Sequence, residues 1–398
     1  MKEKIYLDNA STTNLGAEVL NAMLPVLNNN FGNASSMHSF GKDAANLVNE
    51  SREKIAETIN AKSNEIYFTS SGSEANTWAI VGIANANRNH GNHIITSKIE
   101  HPSILEACKY LEENGFEVTY LNVDKNGFIN FADYLRAFKP STIMVSIISA
   151  NNEIGTIQNL KAIAQTAHEK GVIFHTDAAQ LYGNMEIDVQ DLGIDALTLS
   201  AHKIYGPKGV GALYLSNKVK IDSIIFGGSQ ERSKRGGTEN TAGIVGFAKA
   251  SEIAMRDMRT NNNKLRALNE YFLTRLLETV ENVKINANTR QKLPHIISAS
   301  FVGVDGESLL IKLDMDGLAV STGSDCSNNS LTVSHVIKAI GLNNDDARGT
   351  IRFSLGKNNS YEDMDKAIAI IQKAVEELRE YSSTYGMKTR KRKGDSNV

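Results

Sequence analysis

Cysteine is scarce, with two in 398 residues. Cys108 and Cys326 cannot build a disulfide framework or a cysteine-rich metal site, which points to a reducing compartment. Net charge is also small. The 43 Lys and Arg against 45 Asp and Glu give no overall field that would draw the chain to nucleic acid or a membrane surface. No run approaches the ~18 uninterrupted apolar residues of a membrane span, and the opening MKEKIYLDNAS lacks the apolar stretch of a secretory signal. These absences predict a cytoplasmic protein. Phosphate-loop and dinucleotide signatures are missing as well: there is no G-x-x-x-x-G-K-[ST], and Gly206, Gly209 and Gly211 do not follow G-x-G-x-x-G. None of the nine histidines pairs with Cys or Glu in a metal pattern, so no metal is expected.

What is present is ordinary globular material, 41% apolar and 22% charged, long enough for about two domains. From about residue 65 to 215, short β-branched runs alternate with helical patterns, the mark of an α/β fold. Strands are predicted at 65–69, 93–97, 142–149, 172–177, 196–200 and 211–215, mostly parallel with right-handed crossovers. A helix after Thr241, with Ile244, Phe247, Ala248, Ser251 and Met255 on one face, runs to a polar break at 260–264 (TNNNK). The domain boundary is placed there. The large domain is expected over 15–260. A smaller α+β domain takes 1–14 and 261–380, ending in a helix over 361–380 that Ser360 and Asp363 open as a capping box. A loose basic tail, 381–398, follows.

Ser70-Ser71-Gly72-Ser73-Glu74 follows a strand and opens a helix, so its backbone N–H groups and the helix dipole favour an anion such as phosphate. Ser and Gly also cap helices that bind nothing. Asp177 and Lys203 each follow a strand's carboxyl end, where open α/β sheets bind ligands. Taken singly, Asp177 reads as a capping aspartate and Lys203 as a surface lysine. Together with the anion cradle they form the set pyridoxal phosphate requires: a phosphate clamp, a pyridinium partner and a Schiff-base amine. Arg352 offers a planar fork for a carboxylate. Asn151 and Asn152 also suit a turn after the buried strand, and His101 before Pro102 suits a hydrogen-bonded loop. Cys326 lies in STGSDCSNNS, a polar run that predicts an exposed loop. Cys108 recurs with Leu105 and Leu111 at helical spacing, which predicts a core thiol.

From Tyr6 to about residue 375 the sequence resembles the NifS/IscS-type cysteine desulfurases of the class V aminotransferase fold family. The resemblance rests on YLDNASTT at 6–13, Phe31-Gly32-Asn33 with Ser35, Ser36 and His38, TSSGSEAN at 69–76, Glu100-His101, ANNEIG at 150–155 and HTDAAQ at 175–180. SAHKIYGPKG at 200–209, RGGTEN at 235–240, STGSDCS at 321–327 and IRFSLG at 351–356 continue it in order. It implies fold type I, with a mostly parallel seven-stranded sheet and a smaller domain, and pyridoxal 5'-phosphate as cofactor. By the same resemblance Lys203 forms the Schiff base, Asp177 bonds the pyridine nitrogen, and Gln180 and Asn152 contact the phenolic oxygen side. His101 stacks on the ring and handles the substrate thiol proton. Gly72, Ser73, Ser200 and His202 hold phosphate, with Thr238 reaching in from the second subunit of a homodimer. Arg352 and Asn152 bind substrate, and Cys326 accepts sulfur. The implied reaction turns L-cysteine into L-alanine and leaves a persulfide on Cys326 for a sulfur-acceptor protein of iron–sulfur cluster assembly or tRNA thiolation.

Four positions depart from the family pattern. Asp325 precedes the nucleophile, where a carboxylate opposes thiolate formation. Lys357 and Gly349-Thr350 replace residues more usual near Arg352. Two rival readings use the same residues: another class V enzyme, for which Cys326 has no purpose, and a non-catalytic sulfur-relay scaffold, for which Lys203 has none.

Overall fold

The computed structural model describes residues 4–322 and 333–380. In chain order the strands are β1 (Ile5–Tyr6), β2 (Ile66–Thr69), β3 (His93–Ser97), β4 (Glu117–Leu121), β5 (Thr142–Ser146), β6 (Ile173–Asp177), β7 (Ala196–Ser200) and β8 (Gly211–Leu215). The remainder are β9 (Val283–Ile285), β10 (Ile296–Phe301), β11 (Leu318–Ala319), β12 (Ser321–Thr322) and β13 (Thr350–Ser354). Strands β2 to β8 form one seven-stranded sheet in the order β2-β8-β7-β6-β5-β3-β4. Pairing is parallel from β7 through β4, whereas β8 runs antiparallel to both of its neighbours, β2 and β7. Strand β2 therefore points the same way as β7, and the carboxyl ends of β2, β3, β5, β6 and β7 share one edge of the sheet.

Alternation along each strand explains why both faces are covered. Ile94, Met144, Ala196 and Leu213 pack into one core, while their chain neighbours Ile95, Val145, Leu197 and Tyr214 pack into the other. A period of two with apolar residues at every position leaves no face for water, so helices lie on both sides. Cys108, in the helix Pro102–Glu113, is fully buried, and burial pushes its thiol well above the ordinary range. The core reading of that thiol holds.

A third core belongs to a smaller, mostly antiparallel part. Its four-stranded sheet has the order β12-β13-β10-β9, and β1 pairs in parallel with β11 beside it. The terminal helix Tyr361–Glu380 buries Met364, Ile368, Ile371 and Val375 there, and Ser360 and Asp363 exchange backbone-to-side-chain bonds at its start.

Two expectations are corrected. The polar run 260–264 does not break the chain: one helix continues over Thr241–Thr279. Its apolar residues up to Met255 pack in the large core and those from Leu265 onward in the smaller one, so burial at both ends carries the helix through a stretch of poor propensity. Asn262 Nδ2 donates to Asn184 O (2.6 Å) and Lys264 Nζ to Lys357 O (2.6 Å), giving those side chains partners without unwinding. The strand expected over 142–149 ends at Ser146, and β4 escaped the pattern because its burial is only partial.

Candidate active site

Five strand ends and one strand of the smaller sheet surround a cavity of about 390 Å³. The Ser71–Gly72 turn after β2 opens a helix that runs through Trp78–Gly82 to Ala86. Ser71 Oγ caps it by accepting from Glu74 N (3.1 Å). Gly211 lies directly against this turn, where an added Cβ would stand 2.7 Å from Ser71 C and 3.0 Å from Gly72 N. Glycine there lets the helix N-terminus sit down on the sheet. Across from it, Ser200 ends β7 with its Oγ buried and without a hydrogen-bond partner among the described residues. His202 follows, its imidazole pushed down to about 4 by burial and by the Lys203 and Lys208 charges, so the ring is neutral at pH 7. Its Nδ1 contacts Thr12 Oγ1 (3.1 Å).

Lys203 Nζ donates to Ala10 O (2.7 Å) and Ser11 O (2.6 Å). Burial lowers the amine to about 8, helped by the Arg352 charge and opposed by Asp177 and Asp8. An amine so placed can deprotonate near neutral pH and act as a nucleophile. Asp177, at the end of β6, is 5% exposed and accepts from Asn76 Nδ2 (2.7 Å) and Ala179 N (2.9 Å). Gln180 Nε2 donates to Ala10 O (2.8 Å). His101 caps the helix Pro102–Glu113, its Nδ1 accepting from Ser103 N (3.2 Å). Arg352 arrives from β13. Its Nη2 donates to Asp8 Oδ1 (2.8 Å) and its Nη1 to Asn152 O (3.1 Å), while its buried Nε has no partner among the described residues.

The cavity wall thus gathers Gly72, Ser73, His101, Asn152, Asp177, Gln180, Ser200, His202, Lys203 and Arg352. Thr238 does not line it and is exposed. Cys326, with Asp325, lies outside the described residues, as does the tail 381–398. The profile of the family described as "Aminotransferase class-V" matches residues 5–367. The chain belongs to that class V family.

Relatives sharpen the placement within it. A protein named cysteine desulfurase IscS from Clostridium botulinum (strain Hall) is 49% identical over 384 residues, covering 96% of this chain and 97% of its own. A solved structure titled "NIFS-LIKE PROTEIN" superposes with a TM-score of 0.89 at 34% identity, covering 94% of this chain and all of that one. Another, titled "SspA in complex with cysteine", gives 0.79 at 35% identity, with coverages of 89% and 99%. Class V enzymes of this kind use pyridoxal phosphate, which is the cofactor here. The residues present fit it. A helix N-terminus, the unpartnered Ser200 Oγ and the neutral His202 suit a phosphate, a buried carboxylate suits a pyridinium nitrogen, and a low-pKa amine suits an aldehyde.

Several contributors escaped sequence reading as individual residues. The N-terminal strap 8–13 supplies the Asp8 carboxylate for Arg352, the Ala10 and Ser11 carbonyls for Lys203, and the Thr12 hydroxyl for His202. Asn76, 2% exposed, and Ser103 complete the contacts behind Asp177 and His101. Asn76 had a detectable signal: at helical spacing it shares a face with the apolar Ile80 and Ile83. The family departures also find places. Lys357 Nζ sits 4.1 Å over the Tyr205 ring, and a Cβ at position 349 would lie 2.3 Å from Phe301 O, so glycine there is a packing requirement.

Proposed function

We propose that the chain is a cysteine desulfurase that converts L-cysteine to L-alanine and passes the sulfur to Cys326. The observation that carries this reading is the meeting, in one cavity, of a low-pKa lysine, a buried aspartate, an anion cradle and an arginine with an uncommitted Nε. When bound, pyridoxal phosphate supplies an aldehyde for amine condensation and a conjugated electron sink. Gly72, Ser73, Ser200 and His202 would hold its phosphate, Asp177 its ring nitrogen, and Gln180 and Asn152 its phenolic side, with His101 lining the same cavity. Lys203 would supply the amine for that aldehyde, and its Nζ, lowered to about 8, would hold and move the substrate Cα proton. Arg352 receives the substrate carboxylate through its uncommitted Nε–H, while Asp8 and the Asn152 carbonyl hold its Nη2 and Nη1.

Sulfur then moves from the substrate to the Cys326 thiolate. The substrate C–S bond breaks, an S–S bond forms, and protonation at carbon completes alanine, so cysteine plus a thiol yields alanine plus a persulfide with no external oxidant. The persulfide is passed to an acceptor protein of iron–sulfur cluster assembly or tRNA thiolation. The working unit is a homodimer in which the exposed Thr238 of each subunit reaches the other's phosphate site. Its setting is the cytoplasm, with no direct role for nucleic acid or membrane. No helix among the described residues is long and apolar enough to cross a membrane.

The test is to incubate the protein with L-cysteine and a reductant, quantify alanine, and map added sulfur by mass spectrometry. Alanine formation with a 32-dalton addition on the Cys326 peptide is the expected result. Transamination without sulfide, unchanged in Cys326→Ala, would reject the reading.

A further inference from the structure

Ser103 and Asn76 join His101 to Asp177 through three consecutive contacts. Asn76 Nδ2 donates to Asp177 Oδ2 (2.7 Å) and to Ser103 Oγ (2.9 Å), and Ser103 Oγ lies 2.8 Å from His101 Nδ1. The direction of each bond follows from the one before. A carboxylate accepts only, so the amide must turn its nitrogen toward Asp177, and the buried Asn76 Oδ1 is the atom left without a partner among the described residues. Ser103 Oγ therefore accepts the second amide hydrogen. Its own hydrogen is then available to His101 Nδ1.

The backbone imposes the same requirement independently. Ser103 N–H can only donate, and it reaches the same ring nitrogen at 3.2 Å as the cap of the helix Pro102–Glu113. A nitrogen that receives hydrogen bonds at its lone pair carries no proton, so in the neutral ring the proton sits on Nε2.

We propose that Asn76 and Ser103 are positioning residues that hold His101 as the neutral Nε2–H tautomer, so that it presents a hydrogen-bond donor toward the substrate sulfur. The role toward sulfur rests on the cavity being the site of cysteine conversion; the tautomer does not. An N–H directed at sulfur favours the thiolate over the thiol, because only the anion gains a charge-assisted bond. The bridge also reaches the carboxylate that faces the cofactor's ring nitrogen, so one short chain of side chains sets the orientation of groups on two sides of the cavity.

Long-range ¹⁵N–¹H correlation spectra of the holoenzyme labelled at histidine test this directly, with His101→Gln identifying the His101 signals by their loss. The expected pattern is a protonated Nε2 and an unprotonated Nδ1. Ser103→Ala should shift the tautomer ratio about fivefold toward Nδ1–H, the worth of one net hydrogen bond. Asn76→Ala should move it the same way, and Ser103→Thr, which keeps the hydroxyl, should restore the original ratio. A protonated Nδ1 in the unaltered protein overturns the proposal before any variant is made, and so does a ratio that Ser103→Ala leaves unchanged. The spectra need no turnover, so loss of the desulfurase reading and loss of the tautomer assignment are separate results.

Discussion

Burial, reinforced by the Arg352 charge, takes the Lys203 amine from an ordinary 10.5 to about 8, against the opposing pull of Asp177 and Asp8. At pH 7 a group of that pKa is neutral in about one molecule in ten, against about one in three thousand for an unperturbed lysine, a gain of about 300-fold in reactive amine. The perturbation follows from the geometry. Removing the nearby cation with Arg352→Gln should raise the midpoint, and neutralising the carboxylate with Asp8→Asn should lower it. The assay is the rate at which cofactor-stripped protein takes up added pyridoxal phosphate, followed by absorbance across pH. The rate should climb about tenfold per unit and level off near 8. A midpoint near 10, or shifts of the same sign in both variants, would refute the electrostatic reasoning. The linkage sign is also fixed: with the folded pKa below the unfolded one, the buried amine weakens folding at pH 7, and that cost is relieved as pH rises from about 8 to 10.5.

Glu100, 1% exposed and pushed up to about 8 by burial, keeps its proton when folded well above the pH at which the unfolded chain loses it. Its contribution is therefore lost as pH rises from about 4.5 to 8, and Glu100→Gln should raise stability at pH 8 by on the order of 4 kcal/mol relative to its effect at pH 4, as read from urea midpoints. Glu231 makes paired bonds to Arg52 (2.7 and 2.8 Å) and accepts from Phe68 N (2.9 Å), holding residues 231–233 in left-handed backbone. Glu231→Gln leaves the buried guanidinium without its counter-charge and should cost about 3 kcal/mol in the same measurement. Asp325→Ala should lower the pH at which Cys326 alkylates with iodoacetamide; an unchanged or higher midpoint would show that the neighbouring carboxylate does not restrain the thiol.

Much of the site was legible before any fold was known, for particular reasons. Asp177 and Lys203 became legible together, because each follows the carboxyl end of a strand, where open α/β sheets bind ligands. The cradle at 70–74 was legible for the same reason, as small residues between a strand and a helix. The helix across 260–264 was not: local composition argued for a break, and only the two cores flanking the run outweigh it. The reversed direction of β8 was equally hidden, since a buried strand has the same period whether its neighbours run parallel or not.

By itself, then, the sequence determined most elements of the main sheet and the residue types a phosphate, a pyridinium ring and an aldehyde require. Each of these is encoded by spacing along the chain. Tertiary structure decided what stands next to what: Asp8 beside Arg352, the Ala10 and Ser11 carbonyls beneath Lys203, and Asn76 between Asp177 and Ser103. Those pairings join residues up to 344 positions apart. The pKa of an amine and the tautomer of an imidazole depend on desolvation and on which donor lies within about 3 Å, quantities that exist only once the chain has closed on itself.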